Sequence, residues 1–514
     1  MGMPEKHDDM LLGGYHPESL ATEPPPTPKW LRVRQSLGWS NRSKTLLGFF
    51  AGLSVVAMVL SGLCSASHKM DFVDHDTVRQ PDSAAVQDLE WTPKNGCRNT
   101  PHVFPNFSHK VRLGGGQKFG IHETLDHKQG HRAGRRPNVW GQIILRPATN
   151  NASEGTVDLQ VISNDENLQV NVEPKFHGDN QRLIMAVPHA VPSWPNGDGD
   201  APCIQIRATF WVPREAHLRR LRVESVHLDV DVKDGLTLGV SDETKISTVA
   251  GRLRTSLPKD LGDDVVPYTL QSRKISVETV SAPIEGWFPL YDRLRLASAS
   301  GDITAQVAPK PGRHNHHDKA HLDVSSVSGK VSIQEPLKGA IDARKPDNKL
   351  PARPYAVKVS TVSGNVDARV AANCDAQFKT VSGELSLELL PVLDKNMDKR
   401  GSLKTDTRSG DVRLKVLEPV WVGGDNDSNR GSLGRLRSKH QSISGDLKLS
   451  YPPSWQGSFN AKALAGEIEV HGKNVEIIRR GRNIARFIEG RKGDGDSCIK
   501  VETVSGDLDL TLGD

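Results

Sequence analysis

Several groups of residues have types and spacings that could do chemistry. In the C-terminal half an acidic side chain recurs directly after a glycine, at Asp302, Glu384, Asp411, Asp446, Glu467 and Asp507. Carboxylates stacked at sheet spacing, about 4.8 Å apart, could hold a divalent cation. Arg252, Lys330 and Asn365 interrupt the row, and no Gly-Gly-x-Gly-x-Asp calcium repeat is present. The row therefore reads as solvated turn residues, with mixed charge relieving like-charge repulsion. His314, His316, His317 and Asp318, with His321, carry neutral imidazoles that suit zinc or copper. They sit in a stretch rich in Pro, Gly and Lys, where an exposed loop needs no metal, so no metal site is assigned. Arg479, Arg480, Arg482, Arg486, Arg491 and Lys492 could meet an acidic polysaccharide or a lipid headgroup, although a charged surface loop explains them as well.

Beyond Cys64 the chain holds four cysteines, Cys97, Cys203, Cys374 and Cys498, which allow three pairings when all are joined. At least one disulfide is expected, with Cys97 and Cys203 favoured because both flank one module. Asn106, Asn151 and Asn426 head N-glycosylation sequons. Gly114-Gly115-Gly116 is no phosphate loop, since no Gly-Lys-Ser/Thr follows. No cofactor or catalytic residue is assigned.

The elements that must position these residues are written in the repeats themselves. Copies of one pattern centre on Gly251, Gly301, Gly329, Gly364, Gly383, Gly410, Gly445, Gly466 and Gly506, with Ala282 in place of glycine in a tenth. Counting from each glycine, positions −7, −5, −3 and then +2, +4, +6 are apolar or small: Val357, Val359, Thr361, then Val366, Ala368, Val370 around Gly364. Period-two alternation means strands with one buried face. The buried parity flips at each Ser-Gly, so the chain turns there, and glycine fits because it accepts positive φ. From Gly301 onward the glycines lie 28, 35, 19, 27, 35, 21 and 40 residues apart. A unit of about 20 residues buries its face only by stacking on neighbours, which predicts an all-β stacked β-solenoid. A β-sandwich or a propeller of repeated hairpins is the alternative fold.

Along the chain, residues 1–44 read as a disordered cytosolic tail rich in proline and charge. Residues 45–67 carry no charge, and ten large apolar side chains there favour membrane insertion by about 3–6 kcal/mol. Basic residues before this segment and Asp71, Asp74 and Asp76 after it predict an uncleaved signal anchor, N-terminus cytosolic, remainder extracytoplasmic. A signal peptide cleaved near Cys64-Ser65-Ala66 is the rival, disfavoured by the long preceding tail. Gly48 and Gly52 have the small-xxx-small spacing of a weak membrane homodimer. Residues 68–136 read as an irregular stalk, 137–214 as a β-rich module capping the stack, and 215–514 as the solenoid.

A Trp211-Val212-Pro213 exit strand followed by many Val-Ser-Gly-Asp-Leu units resembles the "putative adhesin" repeat family, a domain of unknown biochemical function found in bacteria and in fungal membrane proteins. The resemblance covers 205–514. It carries over no catalytic residue, and the copies at Ala282, Arg408 and Ala465 depart from its pattern.

A net charge of +5 on 514 residues argues against a dedicated nucleic-acid face. Two function classes remain. One is a membrane-anchored surface or scaffold protein presenting stacked sheets to a glycan or protein ligand. The other is a glycan-active enzyme on a parallel β-helix, which would need paired carboxylates concentrated on one side. Acidic residues spread over every turn, and only 5% aromatic residues, favour the first.

Overall fold

The computed structural model describes residues 77–78, 97, 102–126, 134–149, 152–191, 201–258, 265–312, 319–342, 350–394, 401–422, 433–482 and 485–513. The expected anchor at 45–67, with Gly48 and Gly52, lies outside them. Among the described residues no helix is long and apolar enough to cross a membrane.

Each repeat folds as strand, corner, strand, and its two strands do not pair with each other. Tyr355–Ser360 pairs in parallel with Ala320–Ser326 and Asp375–Lys379, one rung behind and one ahead. Beyond the Gly364 corner, Val366–Ala372 does the same with Val331–Gln334 and Leu385–Asp394. Repetition builds two long, mostly parallel sheets that enclose one core, a β-solenoid. Sequential hairpins would pair the two arms of each repeat, so the sandwich and propeller alternatives are set aside. The alternation is realised residue by residue: Val357, Val359, Thr361, Val366, Ala368 and Val370 are all buried around Gly364, as are Leu403, Thr405, Thr407, Val412, Leu414 and Val416 around Gly410. Burying each such side chain stabilises by about 1.5–3 kcal/mol for the larger aliphatics.

The far end of the array departs from chain order. The last repeat, Ser497–Ser505 and Leu508–Leu512, pairs on one side with Leu436–Ser444 and Leu447–Tyr451. On its other side it pairs with Gly457–Ala465 and Ile468–His471. The chain thus lays down the Gly466 rung, runs out through an antiparallel hairpin, and returns to insert the Gly506 rung between its two predecessors. The hairpin strands are Val475–Arg482 and Arg486–Lys492, the second of which also pairs with Gly457–Ala465. The basic stretch expected as a loop is therefore a β-ribbon at the open edge of one sheet.

At the other end, Asn138–Pro147 pairs in parallel with the first rung strand Asp229–Val232 and with Cys203–Val212, and Gly155–Ser163 closes that sheet antiparallel. The opposite sheet ends in Lys118–Asp126, Asn180–Pro188 and Asn171–His177. The cap thus begins before residue 137. The segment expected as irregular stalk supplies His102–Val103, Phe107–Val111 and Lys118–Asp126, with Phe119 and Ile121 in the core.

Candidate functional site

The corner is where the recurring polar residues meet, and its glycines are explained by stacking more than by torsion. A Cβ built on Gly329 would collide with the carbonyl oxygen of Gly301, one on Gly364 with Gly329, and one on Gly383 with Gly364. The column continues through Gly410 and Gly445 to Gly506, and Gly466 stacks last, on Gly506. Of the nine corner glycines, only Gly410, Gly445, Gly466 and Gly506 have φ between +126° and +150°. Positive φ, expected for all nine, therefore holds for these four, and at Gly251, Gly301, Gly329, Gly364 and Gly383 the missing side chain matters only for room.

Two corner types follow from where the glycine N–H goes. In the earlier corners it donates to the hydroxyl three residues before: Gly251 to Thr248 (3.0 Å), Gly301 to Ser298 (2.8 Å), Gly329 to Ser326 (2.9 Å) and Gly364 to Thr361 (3.0 Å). In the later corners the glycine N–H donates to the neighbouring rung instead, and at Gly445 and Gly506 the strand runs up to the residue before the glycine. Gly410 donates to the carbonyl of Ser444 (3.0 Å), Gly445 to Ser505 (3.1 Å) and Gly506 to Ala465 (3.2 Å).

The residue after the glycine has an equally definite task. Asp302 Oδ1 accepts the backbone N–H of Lys330 at 2.8 Å, and Asn365 Oδ1 accepts that of Glu384 at 3.0 Å. Asp411 accepts from Asp446 (3.0 Å), Asp446 from Asp507 (2.9 Å) and Asp507 from Glu467 (2.8 Å). Arg252 and Lys330, which interrupt the acidic row in sequence, are donors in it through their backbones, Arg252 to Asp229 at 2.8 Å and Lys330 to Asp302. The longer Glu384 and Glu467 turn to Arg413 (3.2 Å) and Arg486 (3.5 Å) instead. These carboxylates tie one rung to the next. Among the described residues no group of three or more His, Cys, Asp or Glu is arranged to hold a metal ion.

Two places before the glycine, apolar side chains stand half-exposed rung after rung, including Val280, Val327, Val362, Ile443 and Val504, with Val381 exposed. The serines beside them, Ser300, Ser328, Ser363 and Ser382, are exposed, and their hydroxyls reach back to carbonyls of the preceding rung. At about 4.8 Å per rung the ten stacked corners span roughly 43 Å, and Arg408, two places before Gly410, interrupts the apolar ridge.

At the first corner, Ser225 to Leu228, a buried carboxylate of the flanking cap strand Lys118–Asp126 takes the corner's N–H groups. Glu123 accepts from Ser225 Oγ (2.8 Å), from the backbone N–H groups of Val226 and His227, and meets His227 Nδ1 at 2.7 Å. Burial pushes its pKa up, but the bonds and charge of His227 outweigh that and hold it below the ordinary value. Beside it, His122 pairs with Glu224 at 2.9 Å. Sequence reading missed Glu123 because it takes an inward place in the alternation Phe119, Ile121, Glu123, where an apolar residue is the norm.

Cys97 and Cys203 form a disulfide whose Cα atoms lie 5.5 Å apart, joining the segment before the cap to the strand that leads into the array. Cys374 and Cys498 are free thiols. Asn106 is exposed, whereas Asn151 and Asn426 lie outside the described residues, as do His314, His316, His317 and Asp318. His321 lies on the strand Ala320–Ser326, its pKa lowered first by burial and then by Lys319 and Arg293.

No protein family and no curated protein matches this chain in sequence. Solved structures that resemble it include a "putative cell adhesion protein" from Clostridium sporogenes, at 7% identity over 79% of this chain and 99% of that one, with a TM-score of 0.15. A "putative adhesin" from Parabacteroides merdae shares 10% identity over 69% of this chain and 97% of that one, TM-score 0.29. A "putative lipid binding protein" from Parabacteroides distasonis shares 13% over 69% and 98%, TM-score 0.27. At these identities and scores none of them decides a function for this chain.

Proposed function

We propose that this chain is a non-catalytic, adhesin-like binding or scaffold protein whose solenoid displays the Val-Ser ridge to a glycan or protein ligand. In this reading residues 45–67 anchor it as a single span, with the repeat domain extracytoplasmic. The observation that carries the non-catalytic part is the engagement of the corner carboxylates. Asp302, Asp411, Asp446 and Asp507 each accept a backbone N–H from the adjacent rung. A glycosidase needs instead two carboxyl groups facing one bond, about 5–9.5 Å apart, free to exchange protons. The Cys97–Cys203 bridge supports the exported placement, because disulfides persist in oxidising compartments.

A glycan array combined with a hydrolysis screen on the purified chain tests the reading. Binding without turnover is the expected result, lost when Val362 and Val381 on the ridge are both changed to Asp. Catalytic release of sugar from any bound glycan would overturn it.

A further inference from the structure

The strand Val475–Arg482 is the outermost of its sheet, and its residues from Glu476 to Arg480 are exposed on both faces. Two of them are large and apolar: Ile477 is 41% and Ile478 60% exposed. Edge strands usually carry polar side chains on a solvent face, so consecutive exposed isoleucines serve neither folding nor solubility. A register shift opposite Gly490 and Glu489 places a β-bulge between Ile477 and Arg479. A bulge re-aims side chains that strict alternation would send to opposite faces. It also blunts the edge as a template for another strand, which disfavours pairing with an extended peptide.

Around the isoleucines cations outnumber carboxylates: Arg479, Arg480, Arg482, Arg486, Arg491 and Lys492 stand against Glu476 and Glu489. Arg479 leans over the Phe487 ring at 5.8 Å and pairs with Glu489 at 3.6 Å. Among the described residues no carboxylate pairs with Arg480 or Arg482. Arginines alone would suit any soluble polyanion. Exposed isoleucines beside them add a requirement that only hydrocarbon meets. Exposed apolar side chains with an excess of neighbouring cations are the combination that docks on anionic lipid, the side chains entering the acyl boundary while guanidinium groups meet phosphates. A second copy pairing along this edge is disfavoured by the same bulge between Ile477 and Arg479.

We propose that the ribbon strands Val475–Arg482 and Arg486–Lys492 form a membrane-docking face that binds the surface of an anionic phospholipid bilayer. It lies at the end of the array opposite the 102–212 cap. The proposal goes beyond the ligand-binding reading of the ridge and can fail separately, since sugar turnover would sink that reading and leave this one intact.

The test uses the full chain in phosphatidylcholine nanodiscs, fixed to beads by an N-terminal tag. Fluorescent vesicles of phosphatidylcholine, alone or enriched in phosphatidylserine, are then offered. Capture of the phosphatidylserine vesicles alone is expected. It should fall by at least ~10-fold in Arg480→Glu/Arg482→Glu and in Ile477→Ser/Ile478→Ser, with an unchanged circular-dichroism melting midpoint. If the paired serine variant melts early, Ile478→Ser alone, at the more exposed position, must still reduce capture. No capture by the parent overturns the proposal. So does equal capture by the serine variants, and equal competition by heparin for parent and serine variant would then identify a soluble polyanion as the partner.

Discussion

Asp446 Oδ1 accepts the backbone N–H of Asp507 at 2.9 Å although 61 residues separate them. The bond joins the last repeat to the Gly445 corner, across the rung and ribbon that the chain lays down in between. It is the same bond that Asn365 makes to Glu384 with an amide oxygen, so the task needs an acceptor and no charge. Asp446→Asn should therefore be nearly neutral, whereas Asp446→Ala should cost about 0.5–1.5 kcal/mol, read as a lower urea midpoint. Since the oxygen serves an N–H group, chelator should leave the parent's midpoint unmoved.

The glycine column predicts a graded series. Gly329→Ala forces a methyl into the Gly301 carbonyl and should cost about 1–3 kcal/mol as local overpacking. Gly445→Ala meets the same obstruction from Gly410 and also strains a backbone held at φ +138°, which adds about 1–3 kcal/mol. The ranking Gly445→Ala below Gly329→Ala below parent in thermal midpoint is the expected outcome. Equal midpoints for the two variants would remove positive φ from the account of the later corners.

The solenoid was legible because burial imposes period two on both arms, so that Val357 to Val370 can be read as one rung without coordinates. Rung order at the end was not legible. Any repeat with apolar residues at −7 to +6 can stack on any other, and nothing in Ser505-Gly506-Asp507 marks it as the neighbour of Gly445. The 40-residue gap before Gly506 signalled an excursion but not a return between earlier rungs. The corner acids were assigned to solvent because sequence shows side chains and hides the neighbouring rung's N–H. Glu123 went unread for the opposite reason: its partners, Ser225 to His227, are about 100 residues away, and a buried carboxylate breaks the very pattern used to find strands.

The disulfide closes a 106-residue separation around the cap. Joining residues so far apart restricts the unfolded chain and should stabilise by about 2–4 kcal/mol. Reductant, or the paired change Cys97→Ala/Cys203→Ala, should lower the melting midpoint and slow migration on a non-reducing gel. Because the bridge ties the cap, limited proteolysis of the reduced protein should begin in 102–212 before the repeats. Cleavage that starts among the repeats would detach the bridge from cap stability.

Two buried groups pull stability in opposite directions with pH. His440 lies between Thr405 Oγ1 (2.8 Å) and Tyr451 Oη (2.7 Å), and burial lowers its pKa from 6.5 to about 3. Between those values the unfolded chain binds a proton that the folded chain refuses, so this histidine makes stability fall as pH drops below 6.5. Glu335 accepts the N–H of Ala371 at 2.7 Å, and burial raises its pKa from 4.5 to about 8. There the folded chain keeps a proton that the unfolded chain has lost, so stability falls as pH rises through 4.5 towards 8. Each slope is about 1.4 kcal/mol per pH unit. They oppose one another from 4.5 to 6.5, where the two contributions should cancel, and only Glu335 acts from 6.5 to 8. Glu335→Gln, which keeps an acceptor for Ala371, should flatten the upper window and leave a profile that rises from pH 4.5 to 6.5. Urea midpoints at half-unit intervals would show this, and an unchanged slope above 6.5 in Glu335→Gln would mean that the carboxyl is ionised in the folded protein.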